Sequence, residues 1–252
     1  ENIYVFAQFK GSVTVGNKTF SSVNATDTFL MKIDNNGNAV WADYLENGYN
    51  SQYKTKCVTE GANTYFVYGG NRLLKLHTSD GSVIFNNTYN NVELKTIAVR
   101  NQDLYLAGST TGSGAVLGSE YFTDSFMGFI VKGDRNANFT ESVKTSKLDS
   151  FQTFADISDI AFSGDGSLLF TGFYTRNAIN LMTETGTSSF TYNPNSNYNN
   201  ANRLYNYVAK VDLNLGAVSF FRTSGGINQE STYNIRTDLN SSKLIPYGTS
   251  GD

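Results

Sequence analysis

The sequence predicts an all-β chain built from repeated four-stranded antiparallel units, and three observations lead there. The first is composition. Over 252 residues, charged side chains make up only 16% and hydrophobic ones 39%, while aromatics reach 14% with Tyr 16 and Phe 18. Aromatic residues fit the half-buried, pleated surface of a sheet, and the remainder is rich in Gly, Ser, Thr and Asn. The second is short alternating segments with no convincing helical period between them. The third is that these segments recur in a fixed order.

The clearest recurring element is a hairpin. Leu30-Met31-Lys32-Ile33-Asp34 runs into Asn35-Asn36-Gly37-Asn38 and then Ala39-Val40-Trp41. Tyr207 to Asp212 and Leu213 to Phe220 repeat it, as do Leu73 to His77 with Gly81 to Phe85, and Ile130 to Asp134 with Asn138 to Thr140. An alternating strand, a polar Asn/Gly turn and a second strand make a hairpin signature. In all four, Lys stands two residues before the turn-opening residue, at positions 32, 75, 132 and 210. The matched place after the turn falls six residues past the opener, at Val40, Val83, Thr140 and Val218. These strands are C and D of each unit.

A strand B precedes each hairpin: Tyr4 to Ala7, Tyr65 to Gly69, Leu104 to Gly108, Leu169 to Gly172 and Leu244 to Gly248, four of them ending in Gly. A strand A precedes four of these, at Lys56 to Val58, Thr96 to Val99, Ile157 to Phe162 and Tyr233 to Ile235. Between B and C, three units carry Gly-x-x-x-Phe, at Gly16/Phe20, Gly118/Phe122 and Gly186/Phe190. In two, an Asp then leads into strand C, as Asp27-Thr28-Phe29 and Asp124-Ser125-Phe126. Four short antiparallel strands cannot bury both faces alone, so like units must stack. The expected fold is an all-β β-propeller, or partial propeller, of four-stranded antiparallel blades. It forms a single domain over 1–252 or an excerpt of a longer one, with blades at approximately 1–45, 46–91, 92–147, 148–225 and 226–252.

On these residues the chain resembles the bacterial seven-bladed propeller repeat, often called the SBBP repeat. The shared order is a strand ending in Gly, Gly-x-x-x-Phe, Asp-Thr-Phe-Leu-x-Lys-x-Asp and Asn-Gly-Asn-x-x-Trp. The match is good over 3–45, fair over 92–147 and 154–225, and poor elsewhere. The resemblance implies a secreted or cell-surface protein and assigns no chemistry.

Several function classes are excluded or demoted. Net charge is −3 with Lys and Arg scattered singly, so the basic patch that nucleic acid requires is absent. No apolar run approaches the ~20 residues that span a bilayer. The single His77 holds the turn-opening place of Asp34, Asp134 and Asp212 and lacks His or Cys partners for a metal or a triad. Cys57, the one cysteine, is expected to be a small buried residue of strand A. Asp34-x-Asn36-x-Asn38 looks like the start of a calcium loop, but Ala39 and Leu45 stand where an EF-hand needs Gly and Glu. No cofactor is implied, and calcium there would need backbone carbonyls as ligands.

The leading expectation is a non-enzymatic, extracytoplasmic structural or adhesion module at the cell surface, binding protein or glycan and joined to the rest of a longer parent chain. The start at Glu1 predicts a processed or excised chain, which would associate with a neighbour through open strand edges. The alternatives are a carbohydrate-active enzyme using Asp156, Asp159 or Asp238 beside the A strands, and a lectin-like binder using Trp41 or Tyr residues. Trp41 is expected instead to pack on the next blade. The long insertion from Arg176 to Arg203 makes Tyr192, Tyr198 and Tyr205 candidate contact residues. Asn17, Asn24, Asn86, Asn138 and Asn240 head Asn-x-Ser/Thr sequons, which matter only in a eukaryotic secretory route.

Overall fold

The computed structural model describes residues 3–24, 26–45, 55–146, 154–175, 178–183, 185–191, 204–225, 230–237 and 244–250. The chain divides into two compact units, Glu1–Thr88 and Tyr89–Asp252. Among the described residues every regular element is a strand.

The first unit contains β1 (Ile3–Phe9), β2 (Ser12–Val15), β3 (Lys18–Ser21), β4 (Asp27–Ile33), β5 (Ala39–Leu45), β6 (Lys56–Glu60), β7 (Asn63–Tyr68), β8 (Arg72–His77) and β9 (Val83–Thr88). Strands β1-β4-β5 form one antiparallel sheet, β6-β7-β8-β9 another, and β2-β3 is a hairpin inserted between B and C. The second unit contains β10 (Val92–Arg100), β11 (Asp103–Thr110), β12 (Ala115–Leu117), β13 (Glu120–Phe122), β14 (Gly128–Gly133), β15 (Phe139–Ser146), β16 (Ala155–Phe162), β17 (Leu168–Thr175), β18 (Ala178–Thr183), β19 (Gly186–Thr191), β20 (Leu204–Val211), β21 (Val218–Gly225), β22 (Glu230–Thr237) and β23 (Leu244–Ser250). Its blades are β10-β11-β14-β15, β16-β17-β20-β21 and the pair β22-β23.

The expected A-B-C-D meander is therefore present, and the four C strands occupy equivalent places. Lys32, Lys75, Lys132 and Lys210 pair across to Tyr4, Tyr65, Tyr105 and Leu169 of strand B. On the other side they face Trp41, Phe85, Glu141 and Phe220 of strand D. Directly after each Lys the C–D ladder slips by one residue, leaving Val40, Ile84, Thr140 and Ser219 as bulged residues. This corrects the equal spacing read from sequence. The turns opened by Asp34 and Asp134 close onto the carbonyl four residues on, those opened by His77 and Asp212 onto the one five residues on. Val40 and Thr140 are thus bulged, whereas Val83 and Val218 sit in the ladder.

Each unit hides its sheet faces by laying one blade on the next. Leu30, Trp41 and Leu45 of one blade meet Phe66, Tyr68, Leu74 and Leu76 of its neighbour. Tyr105, Ala107, Ile130 and Val143 likewise meet Ile157, Ile160, Phe170 and Tyr174. A polar joint recurs at these contacts. Lys32 Nζ and Trp41 Nε1 donate to Thr78 O, at 3.0 and 3.2 Å, in the next C–D turn. Lys132 Nζ reaches Asn214 Oδ1 at 3.3 Å and Tyr105 OH donates to Leu213 O at 3.0 Å, again in the next C–D turn. Trp41 packs against the neighbouring blade, since a Cβ on Gly81 would lie 2.6 Å from its Cδ2. The fold is all-β and propeller-like.

The Gly-x-x-x-Phe motif has a packing role. Gly16 and Gly118 turn their hairpins at φ +59° and +63°, conformations in which a side chain is strained. Phe20 then stacks on Phe29 and Tyr44, and Phe122 meets Phe129 at 5.2 Å. The third hairpin, β18-β19, behaves differently. It pairs Met182, Leu181 and Asn180 with Lys144, Thr145 and Ser146, extending the preceding blade to six strands.

Candidate functional site

Strand A carries a second repeated bulge. Leu94 faces Gly108 and Thr96 faces Ala107, so Lys95 is the extra residue. In the next blade Ser158 is extra between Ile157, opposite Gly172, and Asp159, opposite Thr171. In β22-β23 the same register shift leaves Tyr233 over, with Thr232 opposite Gly248. The strand-ending glycines of β11 and β17 are thereby explained. A Cβ on Gly108 would collide with Glu93 O and lie 2.9 Å from Glu93 C; one on Gly172 would collide with Asp156 O. Bulges re-aim side chains and recur near functional sites.

The two bulges bring a polar row together across adjacent blades. Lys95 Nζ lies 2.5 Å from Asp156 Oδ2 and 3.6 Å from Glu93 Oε1. Thr96 Oγ1 donates to Asp159 Oδ1 at 2.7 Å, and Ser158 Oγ to Asp156 Oδ2 at 3.3 Å. Asp156 is fully buried, and its Oδ1 has no hydrogen-bond partner among the described residues. Burial pushes the Glu93 carboxyl above its ordinary range; Lys95 opposes that shift and Asp156 adds to it.

An aromatic ladder adjoins this row. Phe173 pairs directly across from Asp156, and Lys95 Nζ sits 5.9 Å from its ring centre. Phe154 stacks on Phe173 at 5.5 Å, and Phe126 follows at 5.4 Å from Phe154. Phe126 is 40% exposed and holds φ +62°, a genuine outlier for a bulky residue. Neighbours fix it there. Its N–H donates to Thr110 O, its carbonyl accepts from Ala155 N, and Thr110 Oγ1 accepts from Met127 N. The fold thus displays an aromatic ring in a strained conformation beside a half-buried ion cluster.

Sequence reasoning missed this patch for two reasons. It aligned Phe126 with Phe29, but the register gives that place to Phe129, which faces Gly108 as Phe29 faces Ala7 one pair away from Leu30 and Ile130. Asp124 therefore does not match Asp27. Asp27 is buried and accepts from Val23 N, Asn24 N, Asn24 Nδ2 and Tyr44 OH, whereas Asp124 is exposed. Strand A, which the sequence pattern starts at Thr96 and Ile157, also leaves out Glu93 and Asp156, each one residue before the partner of a strand-ending Gly.

The other candidates fall as follows. Tyr205 is not a surface residue: it is buried and stacked on Tyr174 at 5.5 Å, because it pairs in β20 rather than in the insertion. Tyr192, Tyr198, Asp238 and Asn240 lie outside the described residues. Cys57 is exposed rather than buried, because alternation along the edge strand β6 turns it outward. Asp159 is buried against Thr96. His77 opens its turn as Asp34 does, accepting from Gly81 N. Asp34 Oδ1 accepts from Asn36 N and Asn38 N, both at 2.8 Å, so the calcium-like stretch is a backbone-capping turn. Among the described residues no group of three or more His, Cys, Asp or Glu is placed to hold a metal ion. Asn17, Asn24, Asn86 and Asn138 are exposed, but Asn24 and Asn138 commit their amides to Asp27 and Asp134.

No family model matches the chain, and no curated protein matches it. Among solved structures, BamB from Moraxella catarrhalis is similar at a TM-score of 0.40 and 12% identity, covering 98% of this chain and 96% of that one. The Pan2 WD40 domain from Neurospora crassa is similar at a TM-score of 0.32 and 7% identity, covering 88% and 81%. Both are β-propellers, and the propeller-like assignment of this chain stands on its own blades and joints.

Proposed function

We propose that this chain is a non-enzymatic interaction module of an extracytoplasmic or cell-surface protein, engaging a protein partner through the Phe126–Phe154–Phe173 ladder. The observation that carries the reading is Phe126. A non-glycine residue in the left-handed region costs of order 1–3 kcal/mol and persists where surrounding structure imposes it. Here the clamp holds a large ring at the surface, against Phe154, rather than in the core. Exposed aromatic anchors are the side chains that dominate protein interfaces. The reactive side chains support the same reading, since Asp156 is engaged in an ion pair and Asp159 in a Thr hydrogen bond. The resemblance to the bacterial seven-bladed repeat supports the extracytoplasmic setting.

A photo-reactive benzoylphenylalanine at position 126 tests the site. The expected result is one dominant cross-linked protein, identified by mass spectrometry, that is absent when the probe sits at Tyr121, which is also exposed. With that partner purified, Phe126→Gly should weaken binding about tenfold or more. Equal labelling from both positions, or unchanged affinity in Phe126→Gly, would refute the assignment. Protease shaving of intact source cells tests the setting: release of peptides from this chain supports it, and protection until lysis contradicts it.

A further inference from the structure

The charge beside the ladder selects the chemistry of the bound segment, provided that the ladder is the docking site just described. Glu93 and Asp156 share one neighbourhood with Lys95, whose single ammonium serves both. The buried Asp156 Oδ1 has no hydrogen-bond partner among the described residues, and the Glu93 side chain keeps 28% of its surface open. The row is therefore short of positive charge at its accessible end. A cation brought to Glu93 would relieve that deficit, and its attraction is strengthened where water is partly excluded.

We propose that the patch binds an extended protein segment carrying an arginine, with the guanidinium at Glu93 and an apolar side chain on Phe126. The two ring-to-ring steps of 5.4 and 5.5 Å place Phe126 no more than about 11 Å from Phe173, within the reach of about three residues of extended chain at ~3.3 Å each. Arginine fits better than lysine for two reasons. Its flat, weakly hydrated guanidinium can lie against an aromatic face while donating to a carboxylate. A lysine ammonium would remain strongly hydrated and lacks the planar fork that stacks and donates at once.

The test uses the whole chain and acetylated, amidated Gly-Phe-Gly-Arg-Gly peptides, with lysine or uncharged citrulline replacing arginine in the controls. Binding is followed by isothermal titration at low salt. The arginine peptide should bind about fivefold or more tightly than the citrulline peptide, and Glu93→Gln should abolish that difference. Phe126→Gly should weaken all three peptides. Equal affinity for arginine and citrulline, an arginine preference that survives Glu93→Gln, or no binding of any peptide at millimolar concentration would overturn the proposal. If the peptides bind equally and Phe126→Gly weakens them all, the docking site stands and only its charge selectivity falls. Melting curves of Glu93→Gln and Phe126→Gly verify that both variants are folded.

Discussion

Replacing Gly108 by alanine should break the end of the β10–β11 ladder. The new Cβ would collide with Glu93 O and lie 2.9 Å from Glu93 C and 3.1 Å from Leu94 Cα, all backbone atoms. A flexible side-chain tip could yield to it, but a strand held by its neighbours cannot. Relief requires the stretch beyond the bulge to lift, which disrupts the pairs Val92–Thr110, Glu93–Ser109 and Leu94–Gly108. Two or three lost hydrogen bonds at about 1 kcal/mol each are offset by the ~0.4–1 kcal/mol that alanine gains by restricting the unfolded chain. The net loss is about 2 kcal/mol, or roughly 4–8 °C in Tm for a chain of this size. Gly172→Ala should cost more, because its Cβ would also lie 2.7 Å from Tyr207 OH, the donor to Asp156 O. Gly112→Ala is the control, since the three atoms nearest its Cβ all belong to the Asn91 side chain. Urea unfolding of the three variants measures the difference. A Gly108→Ala protein within about 0.5 kcal/mol of the parent, the range of neutral surface changes, would refute the bulge as described.

Two further outcomes follow from the same geometry. Phe126→Gly should be more stable than Phe126→Ala, by about 1 kcal/mol at most, because both lose the ring but only alanine retains the cost of φ +62°; the reverse order in thermal unfolding would show that the backbone there is unstrained. Asp27, hydrogen-bonded first by Asn24 and then by Tyr44 and backbone N–H groups, has its carboxyl lowered from 3.8 to about 2. The folded state therefore favours the ionised form, and its contribution is present above pH 3.8 and lost as pH falls toward about 2. Asp27→Asn should be the less stable protein at neutral pH, with the gap closing through that window, and a constant gap in acid unfolding curves would contradict the assignment.

Much of the fold was legible because alternation and turn chemistry act locally. The four lysines at 32, 75, 132 and 210 marked equivalent strands, and Trp41, Phe85 and Phe220 do share a register place. Bulges were not legible, since an extra residue in one strand leaves the alternation on either side readable while shifting what faces what. That is why Val40 and Val83 looked equivalent and are not. The one local trace was Gly108 and Gly172 at the ends of strand B, visible as a repeat but without a reason until strand A crossed them. The patch itself depends on residues from three separated stretches, 93–95, 126 and 154–173, and on a positive φ at Phe126. No local pattern announces such a conformation, and the resemblance of Asp124-Ser125-Phe126 to Asp27-Thr28-Phe29 pointed away from it.

The central physical claim is that, in the second unit, the blades containing β10 and β16 lie side by side and are tied across these A strands by Lys95 and Asp156, and a double-mutant cycle measures that tie. Lys95→Met leaves the fully buried Asp156 carboxylate without its cation and should cost about 3 kcal/mol or more. Adding Asp156→Leu should recover a large part of that loss, giving a coupling of at least about 1 kcal/mol by urea unfolding. Losses that simply add, to within about 0.5 kcal/mol, would mean that these strands do not meet.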